Sequence, residues 1–142
     1  MVLALKVFAG AIFLVYSVYF INIISGAPGE FENELLEVFS EWAQKGNGNG
    51  LQIGMLFLTS LLIELFYFGL VLLVIKNPVF VVFTVVFIAI EFYHIFRIGR
   101  GLIRYLRGLI EIALVLDFKF ERISAMLFFT HSLLLLFILF LF

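Results

Sequence analysis

The fold is decided by residues 51–96, LQIGMLFLTSLLIELFYFGLVLLVIKNPVFVVFTVVFIAIEFYHIF. Two apolar runs, about residues 51–75 and about residues 79–96, flank the tripeptide Lys76-Asn77-Pro78, whose residue types favour a tight turn. Each run is long enough to cross a hydrocarbon core of ~30 Å as a helix that rises ~1.5 Å per residue. The stretch therefore predicts an antiparallel hairpin of two transmembrane helices.

Two further apolar runs, about residues 3–25 and about residues 123–142, reach the same length. Hydrophobic residues make up 65% of the 142-residue chain, and its mean hydropathy is +1.24. Soluble domains are only ~45–50% apolar. The chain is therefore predicted to be an all-α integral membrane protein with four transmembrane helices in a single domain over residues 1–142. It has no cysteine, which excludes disulfides, thiolate metal sites and iron–sulfur ligation.

The connection between the first two spans is acidic and amphipathic. Pro28 stands near its start, glutamates crowd its first half, apolar residues recur at helical spacing, and Lys45 comes at its end. This order suits the capping and dipole of a helix, so an acidic interfacial helix is predicted over about residues 28–45. The following run, GNGNG at residues 46–50, is expected to be a flexible hinge.

The connection between the last two spans is basic. Its arginines follow helical spacings of 3, 4 and 3 residues, at Arg97, Arg100, Arg104 and Arg107. We predict a second interfacial helix over about residues 102–116, with Gly99 and Gly101 breaking the helix before it. The four arginines are expected to contact anionic lipid headgroups or an acidic partner protein.

The charge pattern also predicts an orientation. The positive-inside rule places residues 97–122 in the cytoplasm, and four spans then put both termini on the opposite side, in a plasma (inner) membrane. The acidic segment falls on the same side as the basic one. The two segments are therefore expected to pair and to cap the bundle.

Four titratable side chains interrupt the apolar spans, namely Glu64, Glu91, His94 and His131. A charge in the hydrocarbon core costs ~2.5–3.5 kcal/mol on insertion scales, so such groups need partners. Glu64 lies thirteen residues before Asn77 and Glu91 fourteen residues after it, which places the two carboxyl groups at similar depth. Counting from the helix ends adds both histidines, so the sequence predicts one polar layer.

Several uses of this layer stay open. Glu91 and His94 have the Glu-x-x-His spacing of metal-binding helical bundles, and with Glu64 and His131 they form a ligand set suited to a divalent metal. A dinuclear site of that type needs two such pairs, and this chain has one. The same side chains are also compatible with a b-type haem between His94 and His131, with a quinone pocket, and with a proton or cation path.

The simplest interpretation is structural, with the layer hydrogen-bonding across helices or to partner subunits. The chain is accordingly expected to be a small, non-catalytic accessory or scaffolding subunit of a larger membrane protein complex. Its expected partners are other membrane protein subunits and anionic lipids, with no nucleic acid.

One resemblance concerns the first half of the chain. The order of an apolar helix, an acidic connecting helix and a second span with a mid-membrane glutamate, Glu64, is similar to that of DoxX-like four-helix membrane proteins. The likeness is architectural and implies no particular activity.

Overall fold

The computed structural model describes residues 1–44 and 50–141, and no strand occurs among them. Its helices are α1 (Val2–Ile24), α2 (Pro28–Gln44), α3 (Gly50–Val74), α4 (Pro78–Leu106) and α5 (Phe118–Leu141), with one 3-10 turn at Ile112–Leu114. All except α2 are long and apolar enough to cross a membrane. The predicted all-α membrane fold with four spans and an acidic connecting helix is confirmed. The hinge predicted at residues 46–50 lies outside the described residues, except for Gly50.

The predicted hairpin forms because Asn77 caps α4. Its side-chain oxygen accepts hydrogen bonds from the backbone N–H groups of Val79 and Phe80, at 3.0 and 3.1 Å. Pro78 occupies the first turn of the helix, where a missing N–H costs nothing. The tripeptide at residues 76–78 thus ends α3 and starts α4 within a very short connection.

The prediction of a separate basic helix over about residues 102–116 is wrong. Helix α4 runs through Gly99 and Gly101 to Leu106, because an internal glycine costs a helix only ~1 kcal/mol and does not stop it. Gly108, two residues after the end of the helix, stops it, because its φ of +70° is the left-handed conformation that favours glycine. The N–H groups of Gly108 and Leu109 donate to the carbonyl oxygens of Tyr105 and Arg104, which completes a Schellman motif.

The four spans pack as a ring in which α1 contacts α3 and α5, and α4 also contacts α3 and α5. Stacked aromatic rings join α1 to α5. Phe20 lies over Phe129 with ring centroids 3.9 Å apart, and Tyr16 lies over Phe128 at 4.8 Å. A second apolar cluster, containing Ile53, Leu102, Ile112 and Val115, packs beneath Phe39, Trp42 and Ala43 of α2. This second cluster fixes α2 against one end of the ring.

The two ends of the bundle differ in character. Helix α2 and residues 107–117 lie at one end, which we call the charged end. Val2, Lys76 and Ile138 line a common cavity at the opposite end. Both charged connections therefore share one end, as the sequence predicts. Which side of the membrane that end faces stays a prediction.

The expected contact between the acidic and basic segments takes a specific form. Arg122, in the first turns of α5, donates from Nε and a terminal nitrogen to the two carboxylate oxygens of Glu32, at 2.6 and 2.7 Å. The hydroxyl group of Tyr19 on α1 donates to the same carboxylate at 2.5 Å. Glu32 is only 3% exposed. We call these three residues the clamp, because they tie α1, α2 and α5 together.

The clamp makes the stability of the protein depend on pH. The hydrogen bonds from Arg122 hold the pKa of Glu32 below its usual range, although burial of the carboxylate works in the opposite direction. Stabilisation by a carboxylate with a lowered pKa is complete above the unfolded value of ~4.3 and is lost as pH falls through the lowered pKa.

We therefore expect the thermal midpoint of the wild-type protein to fall as the pH drops from 6 to 3, because the Glu32 carboxylate becomes protonated. Glu32→Gln should lower the midpoint by a few degrees at pH 7 and should flatten this acid dependence. Thermal unfolding followed by circular dichroism in detergent measures both effects. Glu34→Gln, at an exposed position of α2, is the matched control and should leave the profile unchanged. Equal profiles for Glu32→Gln and the wild type would contradict the assignment.

Candidate functional site

The titratable groups form two clusters instead of the single predicted layer. Thr84 and His94 are ten residues apart on α4, which corresponds to ~15 Å along the helix axis. His131 contacts Thr84, whereas Glu91 contacts His94. The prediction that all four groups share one depth is therefore wrong for His131. Counting residues from helix ends missed this because α5 begins at Phe118, five residues before the predicted span.

The deep cluster consists of Tyr67, Thr84 and His131, one residue from each of α3, α4 and α5. The Thr84 hydroxyl group donates to the carbonyl oxygen of Phe80 at 2.8 Å, so its lone pairs are available to His131. His131 Nε2 lies 2.9 Å from that hydroxyl oxygen and donates to it. His131 Nδ1 then carries the ring's lone pair and accepts from the Tyr67 hydroxyl group at 2.7 Å. Every polar atom of this cluster has a partner.

Aromatic rings enclose the deep cluster. The imidazole of His131 is 0% exposed, and the rings of Phe80, Phe87 and Phe83 lie 4.8, 5.3 and 5.5 Å from it between centroids. Because both ring nitrogens already hydrogen-bond within the protein, neither is available to a haem iron or a metal ion. The structure therefore does not support the predicted haem site at His94 and His131.

The shallow cluster consists of Glu64, Glu91, His94 and Glu121. His94 Nδ1 lies 3.4 Å from Glu91 on the same helix, and His94 Nε2 lies 3.1 Å from Glu121 on α5. Glu121 was not predicted as a site residue, because the charged stretch before Ile123 is typical of an interfacial segment. Its position ten residues before His131 was the available signal, since that spacing puts it ~15 Å nearer the charged end.

A small cavity adjoins the shallow cluster. It measures about 120 Å³, and its polar lining is contributed by Tyr16, Ser60, Glu64, His94, Glu121 and Ser124. In the described part of the chain, two buried carboxylate oxygens lack hydrogen-bond partners, Glu64 Oε2 and Glu91 Oε1. A water molecule occupies ~30 Å³ in the liquid, so the cavity has room for a few waters or one small cation. We call it the inner cavity.

His94 separates the inner cavity from a larger groove at the charged end. This basic groove measures about 590 Å³ and is lined by Arg97, Arg100, Arg104 and Lys119 together with His94 and Asp117. Arg97 donates to Asp117 at 2.8 Å and lies over the ring of Phe120, 4.4 Å from its centroid. Arg107 does not line the groove. Three of the four arginines predicted to bind headgroups or a partner therefore share one concave surface.

The predicted metal set is not assembled. Among residues 1–44 and 50–141, no group of three or more histidine or acidic side chains is placed to hold a metal ion. Glu91 and His94 do lie together, as their spacing predicts, but His131 belongs to the deep cluster. The geometry therefore does not bring Glu64, Glu91, His94 and His131 together as one ligand set.

No family model, curated protein or solved structure matches this chain.

We expect a measurable loss of stability when the Tyr67 hydroxyl group is removed from the deep cluster. Tyr67→Phe leaves His131 Nδ1 buried without a partner, so the free energy of unfolding should fall by about 1–2 kcal/mol. Reversible unfolding in mixed detergent micelles, followed by circular dichroism, measures this change. Tyr93→Phe is the matched control, since Tyr93 is 54% exposed on α4, and it should change stability by less than about 0.5 kcal/mol. Equal losses for both variants would contradict the assigned role of Tyr67.

Proposed function

We propose that this chain is a small, non-catalytic subunit of a larger membrane protein complex. The proposal rests on the observation that the intramembrane histidines contact side chains of this chain through both ring nitrogens. Both ring nitrogens of His131 bond to neighbouring spans, and both ring nitrogens of His94 face carboxylates of the same chain. Side chains engaged in this way act as packing elements, since a catalytic base or ligand needs a free lone pair directed at a substrate.

The distribution of burial supports the same proposal. Only Leu5 and Ala9 of α1 are buried, and ten of its 23 residues are exposed, all of them apolar. In the described residues, the segments outside the four spans are limited to α2 and short connections. The outward faces suit lipid or the spans of other subunits, and the clamp keeps α2 and the charged end ordered for contact with them.

The first experiment is native mass spectrometry of the full chain, released gently from its own membranes. We expect reproducible extra polypeptide mass, because a subunit should leave the membrane with its partners. The same preparation treated with a harsher detergent, which separates subunits, serves as the control. Recovery of the bare chain or of a homo-oligomer in the mild detergent would overturn the proposal.

A second candidate function is proton or small-cation binding on a translocation path. The specific observation in its favour is the inner cavity, where Glu64 Oε2 is buried without a partner among the described residues. Glu64, Glu121 and His94 line this cavity, and a carboxylate in a low-dielectric site is stabilised by a proton or a cation. His94 stands between this cavity and the basic groove, which gives access from the charged end.

Under this second candidate, the wild-type protein reconstituted in vesicles should conduct protons or monovalent cations above the level of protein-free vesicles. Glu64→Gln should abolish that flux by removing the ionisable group, while the bundle still assembles. Glu111→Gln, at an exposed position outside the spans, is the control and should conduct like the wild type. A pH-sensitive or cation-sensitive dye inside the vesicles reports the flux. Wild-type flux equal to that of empty vesicles would exclude this candidate.

A further inference from the structure

The basic groove has the dimensions of a ligand site. Its volume of about 590 Å³ lies within the ~300–1,000 Å³ typical of pockets that bind small molecules. Its walls come from the last turns of α4, the connection after it, and the first turn of α5. Gly101 lets the connection approach α4 closely, because a Cβ atom there would meet the Cα atom of Val115 at 3.3 Å. The shape of the groove therefore depends on this close packing of the connection against α4.

The groove carries surplus positive charge. Arg97, Arg100 and Arg104 are spaced by three and four residues, so they lie on one face of α4. Lys119 lines the groove from α5. Asp117 neutralises Arg97, but no ion pair within the described ranges involves Arg100, Arg104 or Lys119. Three cations on one concave surface favour an anion with several oxygen acceptors, and arginine suits phosphate in particular.

Apolar side chains make up much of the remaining lining. Ile110, Leu114, Phe118 and Phe120 contribute the hydrophobic part of the surface. A soluble phosphate compound would gain little from contact with this apolar surface. The glycerol and upper acyl region of a lipid would pack against it. The two kinds of lining together match an amphipathic anion.

The depth of the groove also fits a lipid headgroup. Arg97 lies nineteen residues after Pro78, which is ~28 Å along α4 and close to the ~30 Å thickness of the hydrocarbon core. Arg100 and Arg104 therefore lie beyond the core, at the level where lipid phosphates reside. Phe96, one residue before Arg97, is 56% exposed and offers an apolar surface just below the groove.

We propose that the basic groove binds the headgroup phosphate of an anionic membrane phospholipid. Arg100, Arg104 and Lys119 hold the phosphate, Arg97 stays paired with Asp117 at the edge, and the acyl chains descend past Phe96 along α4. The proposal differs from a diffuse attraction of basic residues to the membrane, because Arg107 takes no part and Lys119 of another helix does.

The test is a lipid titration of the full chain in detergent micelles, followed by native mass spectrometry. Phosphatidylglycerol is compared with phosphatidylcholine of the same acyl chains. The wild type should retain phosphatidylglycerol preferentially. The double variant Arg100→Gln/Arg104→Gln should bind it about thirtyfold more weakly, since each basic residue near a membrane surface contributes about fivefold. Arg107→Gln removes one arginine charge from a residue outside the groove and should bind like the wild type.

Folding and ligand source are controlled separately. Arg100→Lys/Arg104→Lys keeps both charges and should retain the preference for phosphatidylglycerol, and circular dichroism checks that each variant keeps its helix content. Equal weakening by Arg107→Gln, or equal retention of phosphatidylcholine, would overturn the proposal. Displacement of the lipid by millimolar inorganic phosphate would assign the groove to a soluble anion instead. Co-purification of an acidic protein that is lost in the double variant, with no bound lipid, would also overturn it.

Discussion

The hydrogen-bond chain from Tyr67 through His131 and Thr84 to the carbonyl oxygen of Phe80 is the interaction on which the bundle depends most directly. It joins α3, α4 and α5 inside the apolar part of the bundle, ~9 Å along α4 from Pro78, where no water is present to satisfy a polar group. Apolar side chains give little preference for one helix arrangement over another in lipid, because the tails are as apolar as leucine. A directional contact among three helices supplies that preference.

In the shallow cluster, not every buried polar atom has a hydrogen-bond partner. His94 is held between Glu91 and Glu121, yet one oxygen of Glu91 and one of Glu64 have no partner among the residues described. The difference follows from the surroundings of the two clusters. The deep cluster is sealed by phenylalanine rings, whereas the shallow one adjoins the inner cavity and lies next to the basic groove through His94.

The charged end is organised by ion pairs that sit where the membrane ends. The clamp fastens α2 to α1 and α5, and the pair of Arg97 with Asp117 fastens α4 to the start of α5. Arg122 binds the Glu32 carboxylate through two parallel N–H donors, whereas Arg97 donates to Asp117 from one terminal nitrogen. Arg100 and Arg104 take part in neither pairing and line the basic groove, and this division separates structural arginines from those available to a ligand.

Much of the fold was determined by the sequence alone. Four apolar runs of membrane-spanning length, the Asn77-Pro78 helix start and the order of charges in α2 each act locally, so they predicted the spans, the hairpin and the acidic helix. The pairing of Glu91 with His94 was equally local, since residues three apart share a helix face.

The tertiary structure alone decided which groups meet across helices. The sequence placed His131 with the other titratable groups, but the register of α5 put it ~15 Å away from His94, beside Tyr67 and Thr84. It also brought Glu121 to His94, Arg122 to Glu32 and Lys119 to the arginines of α4. Helix rotation and axial register set these contacts. Both depend on how whole helix surfaces pack, and no local sequence pattern encodes them.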